Sequence, residues 1–423
     1  MNKIKAILKN KPLVNLAIYG VGQGFNLITP ILIVRYIVSI CGVDGYGKTG
    51  VGMALSFLLI VIIDYASDVV GVKDVSVNRE NPQELSKILS TAYASRFLLL
   101  ATVVAAMSLL FLYVPYFNKE KELFFLSLPI LLGQCISPTW VLQGLENFKA
   151  ITAINIASKI LYVAGIFLYI NSSQDYIYVN LCWGIGIILP NAVAIIYLCN
   201  VYKIGLKNTS VKEVTDFLKA HFSMFSSQLF MSLQLYAPMI LISFFGGDAM
   251  AGKYKVLDQV IVIFKTYIFL FFNYVYPRVC YLLEKNVKEA MRFWKMYNAA
   301  NFVFITACMA VLFCLSNKVV AYFTHQDENA VAVVEISGLL RLALIIPLLL
   351  AVSIPLKQLV LGQNKQQFYI RLTMAMVIVN LVLLLVLLPM FEIYGVLASL
   401  IITEAATALL YTTAIKIKPA VLN

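Results

Sequence analysis

Five basic side chains of this sequence lie within long apolar stretches, where a charge is costly. One is Lys159, in INIASKILYVAGIFLYI (154–170), roughly 12–16 Å of helix rise from either end of its apolar span. A charge at that depth in a bilayer costs about 2.5–3.5 kcal/mol. The other four are Lys265, Arg341, Arg35 and Arg96. Cations in such positions are typical of sites that hold an anionic group, for which phosphate is the natural candidate.

Acidic and amide side chains occupy similar stretches. Asp258 lies seven residues before Lys265 and therefore on the same helix face, so the two groups could bind a ligand together or simply neutralise each other. Glu404 is central in its stretch and Asp64 is near the end of another, and either carboxyl group could carry a proton. Gln23 and Asn26 belong to a polar stripe that recurs every three or four residues.

Simpler explanations exist for some of these residues. Arg35 and Arg96 lie close enough to span ends that their side chains could reach the membrane surface, which explains them as well as a function does. Asp64 could equally be an interfacial carboxylate. The deepest charges, Lys159, Lys265 and Glu404, are the hardest to explain without a function.

The composition identifies the class of protein. The 423 residues are 61% hydrophobic and only 13% charged, and the mean hydropathy is +0.86. Soluble domains have roughly 45–50% apolar and about 25% charged residues. Apolar stretches long enough to cross a bilayer recur along the whole chain. They predict twelve transmembrane helices, at about 12–38, 50–70, 91–114, 122–145, 152–171, 178–200, 220–246, 254–278, 293–316, 333–361, 368–389 and 394–415.

The distribution of basic residues predicts the topology. With the amino terminus in the cytoplasm, 22 of the 33 Lys and Arg residues fall in cytoplasmic segments and only six fall outside. This bias favours an even number of helices with both termini in the cytoplasm. It also explains the net charge of +12 through contact with an anionic lipid surface, so no nucleic acid partner is needed. The seven cysteines have no metal-binding spacing, and no metal site is predicted.

One match to a nucleotide-binding motif is rejected. GVDGYGKT (42–49) fits the phosphate-loop pattern, but it lies between two predicted spans with no room for the supporting sheet. A related segment, GGDAMAGK (246–253), follows at an offset of 205 residues, and LQGLENFK (142–149) has a weaker counterpart in VLGQNK (360–365). These echoes predict two repeated six-helix bundles, residues 1–210 and 211–423, around a central cavity.

Such a cavity, basic and rich in tyrosine, suits an anionic or polar solute such as a lipid-linked sugar. RYIVSICGVDGYGKTGVGMALSFLLIVIIDYASDVVGVKDVSVNRENPQELSKILSTAYASRF (35–97) and PTWVLQGLENFKAITAINIASKI (138–160), with its W-x-x-x-G-x-E core, resemble Wzx-type O-antigen and capsule repeat-unit flippases. These belong to the superfamily of multidrug, oligosaccharidyl-lipid and polysaccharide exporters. One departure is Ala66, where a glycine often follows the Asp-Tyr pair.

The resemblance implies translocation of undecaprenyl-pyrophosphate-linked oligosaccharide across the bacterial inner membrane, driven by a proton or sodium gradient and without a cofactor. We expect Lys159, Lys265 and Arg341, and more weakly Arg35, to bind the pyrophosphate with Asp258 nearby. Gln23 and Asn26 would contact sugar, and Glu404 or Asp64 would couple transport to the ion. A polysaccharide polymerase and a chain-length regulator are the expected protein partners.

Two other functions remain open. A multidrug or small-molecule exporter of the same fold would require a cavity dominated by carboxylates if its substrates were cations. A membrane glycan polymerase or ligase usually carries a large outer loop with candidate bases, and the outer loops predicted here are short. We therefore expect a transporter and not an enzyme.

Overall fold

The described residues form helices joined by short turns and loops, and no strand occurs among them. The computed structural model describes residues 11–205, 207–363 and 365–415; within these ranges it describes the side chain of Thr29 and those from residue 31 onward, apart from 273, 277, 284 and 366. The α-helices are α1 Lys11–Asp64, α2 Val72–Val77, α3 Pro82–Tyr113, α4 Pro115–Asn118, α5 Lys121–Cys135, α6 Thr139–Gly144, α7 Phe148–Tyr169, α8 Ile177–Tyr202, α9 Val211–Lys285, α10 Val287–Cys314, α11 Ser316–Thr324, α12 Val331–Ala343, α13 Ile345–Gly362 and α14 Gln366–Ala414. A π-helical turn, Ser67–Gly71, precedes α2, and a 3₁₀ turn, Ser173–Tyr176, precedes α8.

Nine segments of the described residues are long and apolar enough to cross a membrane. They are Ile31–Asp64, Pro82–Tyr113, Lys121–Gly144, Phe148–Tyr169, Ser173–Tyr202, Val211–Leu283, Val287–Cys314, Val331–Gly362 and Gln367–Ala414. The chain is therefore a multi-pass all-α membrane protein. Three of the nine segments lie in α1, α9 and α14, which contain 54, 75 and 49 residues and are much longer than the roughly 20 residues that span a bilayer.

Each of these three long helices contains one backbone break. Gly42 interrupts α1 with φ 73° and ψ 173°, and Gly247 interrupts α9 with φ 78° and ψ 179°. Glu392 interrupts α14 with φ 52° and ψ −134°. The predicted outer loops at 39–49 and 247–253 are therefore helical on both sides of a single glycine. GVDGYGKT begins at this break in a helix and does not form the strand–loop–helix of a phosphate loop.

The breaks at Gly42 and Gly247 are equivalent in geometry and stand 205 residues apart, which is the offset of the sequence echo. Both combine a positive φ with an extended ψ, a region that is essentially restricted to glycine. The chain divides by its contacts into two compact units, Met1–Tyr236 and Ala237–Asn423, so the division falls inside α9. The predicted bundles 1–210 and 211–423 stay a prediction.

In the first unit, α1 packs against α5 and α7, and α8 packs against both α5 and α7. Small residues allow this close approach. A Cβ on Gly184 of α8 would lie 2.9 Å from the backbone nitrogen of Ile130, and one on Gly186 would lie 3.0 Å from the carbonyl oxygen of Ser158. In a lipid environment helix association depends on such tight packing, since there is little hydrophobic drive between helices.

A group of short elements caps one end of this unit, and it contains the W-x-x-x-G-x-E sequence. The Trp140 ring covers Gly71 of the π-helical turn so closely that a Cβ there would lie 2.6 Å from it. A Cβ on Gly144 would lie 2.8 Å from the carbonyl oxygen of Val72. The motif therefore packs α6 against the turn and α2. Ala66, just before the turn, is fully buried with φ 63°, a left-handed conformation that accounts for the glycine of related sequences at this position.

In the second unit, α13 packs against α10 and α14, and α11 packs against α12. Fully buried Gln358 on α13 donates its amide to the carbonyl oxygen of Phe272 on α9 (3.3 Å) and accepts from Asn298 on α10 (3.3 Å). Trp294 of α10 donates to the carbonyl oxygen of Pro355 (3.1 Å). These bonds connect three helices through groups that would otherwise be unsatisfied in an apolar interior.

The two glycine breaks give a direct test of the backbone geometry. A Cβ at Gly42 or Gly247 meets no atom within 4 Å, so replacing either glycine with alanine carries only a conformational penalty. We expect Gly42→Ala and Gly247→Ala each to lower the free energy of unfolding by about 1–3 kcal/mol, seen as a lower apparent melting temperature in detergent. Gly338, which lies inside α12 with equally open space, is the matched control. Gly338→Ala should be neutral or stabilising by up to about 1 kcal/mol, and equal behaviour of all three variants would contradict the assigned breaks.

Candidate functional site

Lys159 lies in the middle of α7 and contacts an aromatic ring of α8. Its Nζ is 3.7 Å from the centroid of the Trp183 ring, close enough for a cation–π interaction. Trp183 in turn makes an edge-to-face contact with buried Tyr162, with ring centroids 4.9 Å apart. Within the described part of the chain, no carboxylate oxygen lies within 4.0 Å of Lys159 Nζ. We call Lys159, Tyr162 and Trp183 the Lys159 cluster.

The Lys159 cluster can bind a negatively charged group. A cation–π contact partly compensates the ammonium for lost water, but the ring accepts no conventional hydrogen bond and leaves the positive charge without a counterion. An incoming phosphate could accept hydrogen bonds from the three N–H groups of Lys159. The half-buried indole ring of Trp183 offers an apolar surface suited to a sugar, and buried Tyr162 supports that ring.

Asp64 lies in a different environment in the same unit. Its Oδ1 is 3.0 Å from Arg96 of α3, and its Oδ2 accepts a hydrogen bond from Gln134 of α5 at 3.2 Å. Arg96 also donates to the carbonyl oxygens of Cys135 (3.4 Å) and Ser137 (3.2 Å). The explanation of Arg96 as a side chain that reaches the membrane surface is wrong, because this residue is only 1% exposed. Arg96 and Asp64 form a buried ion pair that joins α1, α3 and α5.

Three further predicted residues belong to the first unit. Arg35 is exposed on α1. Gln23 and Asn26 lie in the helical backbone of α1, and their side chains lie outside the described part of the structure. The predicted roles of Arg35, Gln23 and Asn26 stay predictions.

In the second unit, Asp258 and Lys265 lie close together on α9, as their spacing predicts. Asp258 Oδ1 and Lys265 Nζ are 4.0 Å apart, and their side chains are 38% and 32% exposed. This is a loose ion pair, and such half-open pairs contribute little to stability. Separating Asp258 from Lys265 therefore costs little free energy, and either side chain can leave its partner to bind a ligand.

Glu404 and Arg341 use polar partners other than opposite charges. Glu404 of α14 accepts a hydrogen bond from the hydroxyl group of Ser353 on α13. Arg341 of α12 donates from Nε to Ser316 Oγ (2.8 Å) and from an η nitrogen to Asn317 Oδ1 (3.2 Å). The Arg341 guanidinium thus contacts the start of α11, and a phosphate ligand would compete with those two bonds.

Only some of the predicted residues are in contact with one another. Asp258 contacts Lys265. Other partners, which the sequence did not reveal, contact each of the remaining four residues, Lys159, Asp64, Glu404 and Arg341. Those missed partners are Trp183, Arg96, Gln134, Ser353, Ser316 and Asn317. One signal could have identified Arg96, because a span-end arginine and a span-end aspartate on the same side of the membrane can neutralise each other.

The buried ion pair makes a clear prediction. Arg96→Leu leaves the Asp64 carboxylate buried without its counterion, so we expect the free energy of unfolding to fall by about 3–5 kcal/mol. Arg79→Leu is the control, because Arg79 and Glu146 form an ion pair whose side chains are 50% and 67% exposed, and its loss should cost at most about 1 kcal/mol.

The double variant Asp64→Leu/Arg96→Leu should recover most of the loss, since it removes both charges from the apolar interior. Unfolding of the purified protein in detergent measures all three variants. An Arg96→Leu protein as stable as the Arg79→Leu protein would show that the pair does not stabilise the fold.

Comparison with known proteins places these features in a family. Residues 13–282 match the family model described as "Polysaccharide biosynthesis protein". A relative from Escherichia coli (strain K12), described as "Putative O-antigen transporter", is 22% identical over 392 residues, which cover 92% of this chain and 93% of the relative. A relative of the same description from Shigella dysenteriae is 23% identical over 408 residues, which cover 95% of this chain and 99% of the relative. These matches confirm the resemblance to repeat-unit flippases.

Two solved structures share the fold. The lipid II flippase MurJ in an inward closed conformation superposes with a TM-score of 0.75 at 15% identity, over 94% of this chain and 87% of the other. An inward-facing multidrug resistance transporter of the MATE family superposes with a TM-score of 0.71 at 15% identity, over 95% and 97%. The chain therefore belongs to the polysaccharide biosynthesis protein family, as a multi-pass membrane transporter and not an enzyme.

Proposed function

We propose that this protein is a flippase that moves undecaprenyl-pyrophosphate-linked oligosaccharide repeat units from the cytoplasmic to the periplasmic leaflet. The family and the printed names of the two relatives support a lipid-linked polysaccharide precursor as substrate. The observation that carries the proposal is the cation Lys159, which lies deep in a span beside Trp183 with no carboxylate within 4.0 Å among the described residues.

A pyrophosphate explains why such a cation is retained. Lys159 and Lys265 would bind the pyrophosphate, with Arg341 and Arg35 as further cations. The glycan would contact Gln23, Asn26 and the aromatic rings beside Lys159. The isoprenoid tail would remain in lipid, so that only the polar part of the substrate needs a hydrated path.

The carboxylates argue against the alternative of a multidrug exporter for cationic compounds. Asp64 is engaged by Arg96, and the positive charge of Lys265 beside Asp258 would repel a cationic drug. Structural similarity to a MATE transporter reflects the fold and does not identify the substrate.

The transport cycle would be alternating access between two six-helix bundles. Three of the apolar segments contain a break, at Gly42, Gly247 or Glu392, and counting each of these segments as two spans supports a total of twelve. The matching breaks at Gly42 and Gly247 support an internal repeat. The charge bias of 22 to six supports cytoplasmic termini in the inner membrane.

An ion gradient would drive the cycle, and Glu404 is the better coupling candidate. Its described partner is the Ser353 hydroxyl group, and no Lys or Arg nitrogen of the described residues lies within 4.0 Å of its carboxylate. Asp64 would have to give up its ion pair with Arg96 before it could accept a proton. A polysaccharide polymerase and a chain-length regulator would receive the product.

Substitution of the buried lysines tests the proposal. In a strain that lacks the chromosomal copy, Lys159→Ala or Lys265→Ala should reduce surface polysaccharide at least about tenfold, because each removes a charged hydrogen bond to phosphate. Lys159→Arg should retain part of the activity because it keeps the charge. Lys73→Ala, at an exposed lysine of α2, is the control.

Surface polysaccharide is measured by glycan blotting and protein abundance by immunoblotting. Normal polysaccharide in both alanine variants, at normal abundance, would remove these lysines from the mechanism. Drug sensitivity of the deletion strain without any loss of polysaccharide would favour the exporter.

A further inference from the structure

A groove of about 700 Å³ lies between α7 and α8 in the first unit. Its walls are apolar over most of their length and include Ala153, Ala157, Leu161, Leu189 and Val193. Leu189 and Val193 are 51% and 66% exposed, so the groove opens to the surroundings of the protein. α7 and α8 are long and apolar enough to cross a membrane, so apolar groove walls on their exposed surface suit contact with lipid.

The sequence explains why the groove is there. The two helices touch where Gly186 of α8 approaches the backbone of Ser158 and Tyr162 on α7. Beyond this contact α8 contains Pro190, which cannot donate a backbone hydrogen bond and bends the helix. Alanines on the facing side of α7 do not fill the space that this bend leaves.

Polar groups occur at one end of the groove only. Lys149 is exposed there, at the start of α7. Tyr197 lines the same end, where its hydroxyl accepts a hydrogen bond from the Asn147 side chain at 3.3 Å. Asn147 also donates to Tyr202 (3.1 Å) and accepts from the backbone of Ala150 (3.2 Å), so this polar end is ordered.

The length of the groove matches one leaflet. Lys149 and Leu161 are twelve residues apart on a helix, or about 18 Å, and half of a 30 Å hydrocarbon core is about 15 Å. A ligand with an anionic head at Lys149 and an apolar chain along the alanines would match both the charge and the depth. Lys159 lies on a different face of α7, because it is about 120° around the helix from Ala153 and about 160° from Ala157.

We propose that this groove binds one anionic phospholipid of the leaflet that contacts Lys149, with its phosphate at Lys149 and Tyr197 and an acyl chain against Ala153 and Ala157. In the orientation given under the proposed function, this is the cytoplasmic leaflet. The lipid site is separate from the Lys159 cluster, and its test requires no transport, so failure of the flippase proposal leaves the lipid site standing and the reverse also holds.

Native mass spectrometry of the purified full-length protein tests the site. The protein is incubated with equal amounts of phosphatidylglycerol and phosphatidylcholine of the same chain length, and the retained lipids are counted. We expect preferential retention of phosphatidylglycerol. Lys149→Gln should weaken that retention about fivefold, as one surface lysine beside an anionic lipid contributes on this scale. Lys73→Gln, which changes an exposed lysine outside the groove, should leave it unchanged.

A second pair of variants tests the apolar part. Ala153→Phe fills the groove and should reduce retention of both lipids, whereas Ala164→Phe places the same ring on an exposed position of α7 beyond the groove and should not. Equal retention of the two lipids, equal effects of Lys149→Gln and Lys73→Gln, or equal effects of the two phenylalanine variants would overturn the proposal. Preferential retention of undecaprenyl phosphate over phosphatidylglycerol would also overturn it, because the groove would then belong to the substrate.

Discussion

A charge inside a membrane span must have an interaction that replaces water, and this constraint governs the environment of Arg96, Glu404 and Lys159. Arg96 meets it through Asp64 and two carbonyl oxygens, and Glu404 meets it through Ser353. Lys159 meets it only in part, through the face of Trp183. An aromatic face is a poorer substitute for water than a carboxylate is, because it accepts no conventional hydrogen bond from the ammonium. A mobile anion therefore gains the most binding free energy at Lys159, whose lost hydration is only partly replaced.

The same reasoning separates structural charges from functional ones. Buried Arg96 and Asp64 pair with each other and with carbonyl and amide groups of the protein, and they join three helices, so their role in stability is sufficient to explain them. The open pair of Asp258 and Lys265 costs little to separate, so it can respond to a ligand. The depth of a charged residue within its predicted span does not separate structural charges from functional ones. Depth gives the free-energy cost of burying the charge, but it does not identify the group that offsets this cost.

Sequence reasoning succeeded where the physics is local and failed where it depends on neighbouring helices. Composition and apolar periodicity predicted an all-α membrane protein, and the depth of Lys159 followed from counting residues. The partners of Lys159, Arg96 and Glu404 could not be predicted, since each lies on another helix whose rotation only the fold determines. The connections at Gly42 and Gly247 are shorter than the loops predicted there, because a single glycine separates the two helices and the neighbouring glycine and charged residues, which have the composition of a turn, are helical. The echo between those two segments was nevertheless informative, as both glycines adopt the same unusual backbone conformation.

Equilibrium binding shows whether the protein recognises a pyrophosphate-linked lipid through buried cations. Purified protein would be titrated with an undecaprenyl-pyrophosphate-linked oligosaccharide and with the same oligosaccharide on undecaprenol without phosphate. The account predicts that the pyrophosphate compound binds at least about tenfold more tightly, since each charged hydrogen bond contributes about 1.5–3 kcal/mol. Equal dissociation constants for the two compounds would contradict it.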